Sequence, residues 1–111
     1  MKDLTKVEET ILLSIFRMEE DAYGVSIKRQ IRKVTGRDYL YSTLYTALDQ
    51  LTRKDYIKKY WGDPSPRRGG KRKLFFRLTR NGLNALEDAF RKHQSVWSGI
   101  SKDSFRKGYS K

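Results

Sequence analysis

The first part of the chain carries apolar residues three or four positions apart, the spacing of a helix that buries one face. These positions are Leu4, Val7, Ile11, Leu12 and Ile15. Thr5 and Glu8 are three residues apart, as in a capping box, where a hydroxyl and a carboxylate satisfy free backbone N–H groups. The pattern therefore predicts a first helix over residues 5–18, ended by the acidic turn at 19–21.

Two more helical patterns follow. The first is an inward stripe of Ile27, Ile31 and Val34. Gly36 is well placed to end that helix in the left-handed conformation. The second stripe consists of Leu44, Ala47, Leu48 and Leu51. It predicts a third helix over about 42–54, with Ser42 as its N-cap. Two short consecutive helices are compatible with a helix-turn-helix, although many all-α domains contain such a pair.

A β-hairpin is predicted next. The segments 57–61 and 73–78 alternate in character and are rich in aromatic residues, which is typical of strands. Between them, residues 62–72 contain two prolines, three glycines and four Lys or Arg residues, so we expect a mobile basic loop without regular structure. A hairpin with a basic tip directly after two helices is a winged helix. The alternative is a solvated charged loop.

Thr79 is expected to cap a last helix that extends over about 80–100. Its apolar positions are Leu83, Leu86, Phe90, Trp97 and Ile100, close to a heptad repeat, with His93 between them. The preceding elements already fill the interior of a domain this small. The apolar residues at the far end of the last helix therefore predict a surface that another chain covers. The alternative is that this helix packs on the first helix of its own chain, and for Leu83 and Leu86 we favour it. The polar tail, 101–111, is expected to fray.

These elements make one domain, because 111 residues are too few for two separate cores. The predicted fold is mainly α with a small β-hairpin (α+β). It is a winged helix-turn-helix over residues 1–100, with a C-terminal dimerisation helix and a tail at 101–111.

The charge is unevenly distributed along the chain. The formal net charge is +12. Residues 1–56 carry 10 Lys or Arg and 9 Asp or Glu, whereas residues 57–111 carry 15 and 4. The excess therefore lies in the half that contains the hairpin, which indicates a polyanionic partner. A ribosomal-type or merely soluble basic protein is the alternative.

Composition excludes several classes of function. The chain has no cysteine and one histidine, His93, so disulfides, thiolate catalysis, and Cys- or His-based metal sites are excluded. No constellation supports an enzyme, and we expect no cofactor. The charged N-terminus is not a signal peptide, and no apolar run is long enough to cross a membrane. We therefore expect a prokaryotic cytoplasmic protein with no membrane partner.

Four ordered pieces resemble the PadR family of transcriptional regulators and together span about residues 4–90. They are Tyr23-Gly24 at a helix start, Ser42–Leu51 with its Leu-Tyr-x-x-Leu-x-x-Leu pattern, the Gly69-Gly70-basic wing and the Leu78–Gly82 exit. Chain length resembles the short subfamily, in which a single C-terminal helix makes the dimer. Three places depart from the family pattern. The segment Asp38–Tyr41 stands where the family more often has small residues or proline. Asp49 stands where a basic residue is common, and Asp55-Tyr56 replace the usual Gly-Leu.

The resemblance implies a homodimeric regulator that binds double-stranded DNA at an inverted repeat, and we expect it to be a repressor. The residues expected to contact DNA are Lys28, Arg29, Ser42, Thr43, Tyr45, Thr46, Gln50, Arg53, Arg67, Arg68, Lys71 and Arg72. Gln50 suits adenine, and Arg53 suits guanine or a phosphate. Asp49 either accepts from cytosine or, as we favour, pairs with Arg53. Tyr45 alternatively packs at the edge of the core.

The residues expected at the dimer or ligand surface are Leu86, Phe90, Trp97 and Ile100. Relatives of the short subfamily suggest that a small apolar or aromatic effector binds there, whereas a Trp at heptad spacing is also an ordinary core residue. A second class of function is a winged helix that binds RNA or docks a protein. The polar face of the third helix and the basic wing favour duplex DNA.

Overall fold

Helices and one β-hairpin make up the part of the chain that the computed structural model describes, residues 3–108. The α-helices are α1 (Lys6–Met18), α2 (Gly24–Thr35), α3 (Tyr41–Arg53), α4 (Arg80–Val96) and α5 (Lys102–Gly108), and the strands are β1 (Ile57–Trp61) and β2 (Leu74–Leu78). Single 3-10 turns lie at Glu19–Asp21 and Pro66–Arg68. The order of elements confirms the predicted fold, mainly helical with a small antiparallel hairpin.

The start of α1 is capped as its sequence predicts. The backbone N–H of Glu8 donates to the Thr5 hydroxyl at 3.1 Å, and the Thr5 N–H donates to the Glu8 carboxylate at 3.0 Å. Ile11, Leu12 and Ile15 then point into the core and are buried. Helix α1 is therefore fixed by its own first turn and by one apolar stripe.

Two details of α2 and α3 differ from the prediction. Ile27 and Ile31 are buried, but Val34 is 58% exposed, because α2 ends at Thr35 and its last turn extends past the core. Gly36 does end the helix in the left-handed conformation, at φ 76°. Ser42 is not the N-cap of α3. The extended residue before the helix is Leu40, and no side chain caps it.

Strand β2 is paired on both of its edges. In the β1–β2 register Ile57 pairs with Leu78, and Trp61 pairs with Leu74. On the other edge, the N–H of Phe76 donates to the carbonyl of Ala22 at 2.8 Å. Ile57 and Phe76 are buried, so the hairpin closes the core that the helices begin. The wing is thereby attached to the segment between α1 and α2.

Helix α4 and the residues after it form an arm. Thr79 caps α4, accepting from the N–H of Gly82 at 3.0 Å. The helix ends at Val96 rather than near 100, and the chain turns at Gly99, φ 79°. The predicted frayed tail instead contains α5, where Phe105 gains an edge contact with Trp97 at 6.0 Å between ring centroids. Residues 109–111 lie outside the described part, as do residues 1 and 2.

Candidate nucleic-acid interface

Helix α3 buries one stripe and exposes the rest of its surface. Leu44, Leu48 and Leu51 are all buried, as their spacing predicts. The exposed side chains include all six residues of α3 expected to face DNA: Ser42, Thr43, Tyr45, Thr46, Gln50 and Arg53. We call this set the α3 face. Because the leucines fix the rotation of the helix about its axis, the α3 face is presented as a unit.

One side of the α3 face borders a groove of about 580 Å³. From α3 it is lined by Ser42, Thr43, Thr46, Ala47 and Gln50, together with Lys54, and from the start of α1 by Thr5, Val7 and Glu8. Hydroxyl and amide groups thus line one wall of an open groove, the kind of groups that read base edges through hydrogen bonds. Ser42, Thr43, Thr46 and Gln50 are brought together here.

An ion pair joins α1 to the end of α3 beside this groove. Lys54 Nζ lies 2.6 Å from Glu8 Oε2, and Glu8 is only 5% exposed. Burial alone raises the pKa of Glu8, but the hydrogen bonds from Lys54 and from the Thr5 backbone outweigh it and hold the pKa below its usual value. The pair therefore ties the α3 face to α1. Because the two residues are 46 positions apart in the sequence, no local pattern predicted the pair.

The side chain of Tyr45 is partly exposed and partly packed against α2. Its ring is nearly half exposed, while its hydroxyl lies against the backbone of Gly24. A Cβ on Gly24 would lie 2.1 Å from the Tyr45 oxygen, so any larger residue there would displace the Tyr45 side chain. This close approach explains the Tyr23-Gly24 start of α2: the glycine admits the side chain of α3.

The expected pairing of Asp49 with Arg53 is wrong. Both side chains are exposed, and within residues 3–108 no ion pair joins them. Nothing covers this part of α3, so water solvates both charges and no neighbour holds them in one geometry. Both charges are left facing outward.

The two basic residues predicted on α2 have different surroundings. Lys28 Nζ lies 2.5 Å from the Asp38 carboxylate and 5.0 Å from the centroid of the Tyr41 ring. The hydrogen bond from Lys28 holds the pKa of Asp38 below its usual value. Arg29 is exposed and forms no ion pair among the residues described. Part of the Lys28 charge is therefore neutralised locally, and that of Arg29 is not.

The basic loop of the hairpin is more ordered than predicted. Pro66–Arg68 form a 3-10 turn, because Pro66 presets φ and Gly69 and Gly70 supply left-handed conformations at φ 65° and 81°. Arg67 is exposed on this turn. Arg68 lies in the same turn, and its side chain is outside the described part.

The base of the loop is closed by one of the four predicted cations. Arg72 Nε donates to the carbonyl of Gly62 at 2.8 Å, and Lys71 is exposed. Below them, the Phe75 ring stacks on Tyr60 and meets Tyr23 edge-on, both at 5.6 Å between centroids. The hairpin therefore has a packed aromatic base under its turn.

The residues predicted for the dimer or ligand surface divide into two sets. Leu86 packs partly buried against the core of its own chain. Phe90, Trp97 and Ile100 are about half exposed along the arm. A pocket of about 280 Å³ between α4 and the start of α1 is lined by Trp97 and Val96, with Asp3 and Lys92 bonded to each other beside it. Phe90 does not line it.

Other kinds of site find no support among the described residues. Residues 3–108 contain no group of three metal-ligating side chains. None of their helices is long and apolar enough to span a bilayer.

Comparison with known proteins matches this architecture to one family. The model of the Transcriptional regulator PadR-like family matches residues 12–88. An uncharacterised protein of Lysinibacillus sphaericus is 32% identical over 90 residues, which are 79% of each chain.

Two solved structures are similar along most of the chain. A PadR family transcription regulator of hypervirulent Clostridium difficile R20291 superposes with a TM-score of 0.67 at 25% identity, covering 84% of this chain and 95% of its own. RosR of H. salinarum superposes with a TM-score of 0.67 at 26% identity, covering 98% and 90%.

Proposed function

The chain belongs to the PadR-like family and is a DNA-binding transcriptional regulator, and on this premise we propose that it is a homodimeric repressor that recognises an inverted-repeat operator. The α3 face enters the major groove and the hairpin loop lies beside it. One observation carries the proposal: a buried leucine stripe holds six exposed side chains on the opposite side of α3.

The polar residues of the α3 face recognise the bases. The Gln50 amide suits the donor–acceptor edge of adenine, and the Arg53 guanidinium suits guanine or a phosphate. Ser42 and Thr46 are short enough to let the helix approach the base edges closely. Because Asp49 does not pair with Arg53, its carboxylate accepts a hydrogen bond from a cytosine amino group when α3 lies in the major groove.

Phosphate contacts position the protein on the duplex without reading sequence. Arg29 supplies one from α2 with its charge unpaired, and Lys28 supplies a weaker one because Asp38 already binds it. The remaining contacts come from the wing and involve Arg67, Arg68, Lys71 and Arg72. The glycine pair 69–70 lets the loop backbone approach the minor groove, whose width arginines sense.

Dimerisation is supported by the length and the surface of the arm. The radius of gyration is 17.1 Å, whereas a compact chain of 100 residues has about 13 Å. Exposed Phe90, Trp97 and Ile100 lie along the arm, and an apolar surface of this kind on a soluble protein marks a site covered by a partner. A two-fold dimer places its recognition helices about 34 Å apart, or a multiple of it, on an inverted repeat.

Release by an effector is the remaining part of the proposal. The pocket beside Trp97 is of a size for a small apolar or aromatic molecule, and it touches both the arm and the first turn of α1. The Glu8–Lys54 pair connects that turn to α3. A ligand that moves the arm relative to α1 therefore changes the spacing of the α3 faces.

The experiment is selection from a random duplex pool, followed by footprinting of the enriched sequence. We expect an inverted repeat protected on both halves, with one dimer bound. Protection of a single asymmetric half-site by one protomer would contradict the symmetric arrangement. Binding single-stranded RNA as tightly as duplex DNA, without enrichment of any duplex sequence, would favour the alternative in which the winged helix binds RNA.

A further inference from the structure

An apolar patch lies where α2 and α3 begin. Leu40 is 71% exposed, and Val25, Tyr41 and Tyr45 are each exposed by more than two-fifths. The patch is continuous, since Tyr41 stacks on Tyr45 at 6.2 Å between centroids and shares a small hollow with Val25. Leu40 and Tyr41 are neighbours in the chain. We call these four residues the apolar patch.

The charges around the apolar patch select a polyanion. The same hollow is lined by Lys28, Arg29 and Arg32, against one acid, Asp38. A second copy of this chain, with a net charge of +12, is a poor partner for a surface beside three cations and one acid. A nucleic acid offers both phosphates for the rim and apolar groups for the centre.

The position of Leu40 decides which part of a nucleic acid it meets. Leu40 is the residue before the first turn of α3, and its carbonyl accepts from the N–H of Leu44 at 3.0 Å. In helix-turn-helix proteins the N-terminal residues of the recognition helix contact base edges in the major groove. The one apolar group on those edges is the 5-methyl group of thymine.

We propose that Leu40 reads a thymine methyl group in each half-site, and that Tyr41 forms the wall against which the methyl packs. Tyr41 is held for this by the stack on Tyr45 and by Lys28, which lies 5.0 Å from its ring centroid. The inference rests on the proposed function. It adds to the proposed recognition one base, a thymine, that the polar residues of the α3 face do not read.

The experiment removes one methyl at a time from the duplex. The probe is the sequence selected with the wild-type protein, in which each thymine is replaced singly by deoxyuridine. At one thymine per half-site, wild-type affinity should fall about fourfold, the value of one buried methyl group. Leu40→Ala should bind the thymine duplex more weakly than wild type and be indifferent to the replacement at that position.

Val34→Ala is the matched control. Val34 is an exposed apolar residue at the other end of α2, so this variant should keep the wild-type preference for thymine. Retention of that preference by Leu40→Ala, or no effect of any replacement on the wild type, would overturn the inference. Absence of any selected sequence would instead overturn the proposed function, so the two failures are distinguishable.

Discussion

The ion pair between Glu8 and Lys54 gives the sharpest expectation for stability. Lys54→Met keeps most of the apolar stem and removes the ammonium group that lies 2.6 Å from Glu8 Oε2. Glu8 would remain almost fully buried, with the Thr5 N–H at 3.0 Å as a remaining donor. A buried carboxylate that loses its counter-ion is costly, because the desolvation of the charge is no longer compensated.

The magnitude follows from the burial of the two partners. Breaking a fully buried pair costs about 3–5 kcal/mol. Lys54 is one-third exposed, so water weakens the pair, and we expect a loss of about 2 kcal/mol in the free energy of unfolding. For a domain near 100 residues this lowers the melting temperature by about 8–12 °C.

The pH dependence has a defined sign. The pKa of Glu8 is lowered in the folded protein, so its pair contributes fully above the unfolded pKa of a glutamate and is lost as the pH falls through the lowered value. In Lys54→Met, burial raises the pKa of Glu8, and protonation relieves the unpaired charge. The difference between wild type and variant should therefore be largest at pH 7 and shrink as the pH falls, first through the raised pKa in the variant and then through the lowered pKa in the wild type.

Urea unfolding followed by circular dichroism at pH 7 and pH 3.5 measures both quantities. Lys6→Met is the control, since Lys6 is 83% exposed and lies 3.8 Å from Glu9; it should change stability by less than about 0.5 kcal/mol. If Lys54→Met loses no more than Lys6→Met, or if its loss is equal at the two pH values, the reasoning is wrong.

Further predictions concern the backbone, the dimer and base reading. Gly82→Ala should cost about 2–4 kcal/mol of stability in urea unfolding, because its Cβ would lie 2.1 Å from the carbonyl oxygen of Tyr56, whereas Gly36→Ala, which meets only strain at φ 76°, should cost about 1 kcal/mol. Trp97→Ala should weaken dimerisation by about 2–4 kcal/mol in sedimentation, and an unchanged dimer would place the interface elsewhere. Gln50→Ala should relax preference at one base position by about 1–3 kcal/mol in binding to single-base operator variants; equal weakening on all sequences would assign Gln50 to phosphate.

Features set by neighbours along the chain were predictable. The Thr5–Glu8 cap, the left-handed Gly36 and the leucine stripe of α3 each depend on residues within one or two turns, so spacing alone identifies them. The hairpin also follows from local alternation. The exposure of the α3 face then follows from the stripe, since side chains opposite a buried stripe face outward.

Features set by packing between distant elements were not predictable. The contact of Tyr45 with Gly24 and the pair of Lys54 with Glu8 depend on how three helices cross, which no local pattern encodes. The extent of the core along α2 was also missed: Val34 has apolar spacing but lies beyond the core. Helix α5 is stabilised by a Trp97–Phe105 contact that its polar composition did not suggest.

The wing provides the most direct test of the central claim that this surface binds DNA. Arg67 is exposed and Arg68 follows it in the same short turn, so the double variant Arg67→Ala/Arg68→Ala should keep its stability within about 0.5 kcal/mol of wild type. Arg91→Ala/Lys102→Ala removes the same charge from the arm and is the control.

The measurement is the affinity for duplex DNA at three salt concentrations. If each wing arginine neutralises one phosphate, a dimer loses four contacts, and the slope of log K against log salt should flatten by about 3.6 in the wing variant and stay unchanged in the control. An unchanged slope in a folded wing variant would contradict the account, because the wing would then not contact DNA.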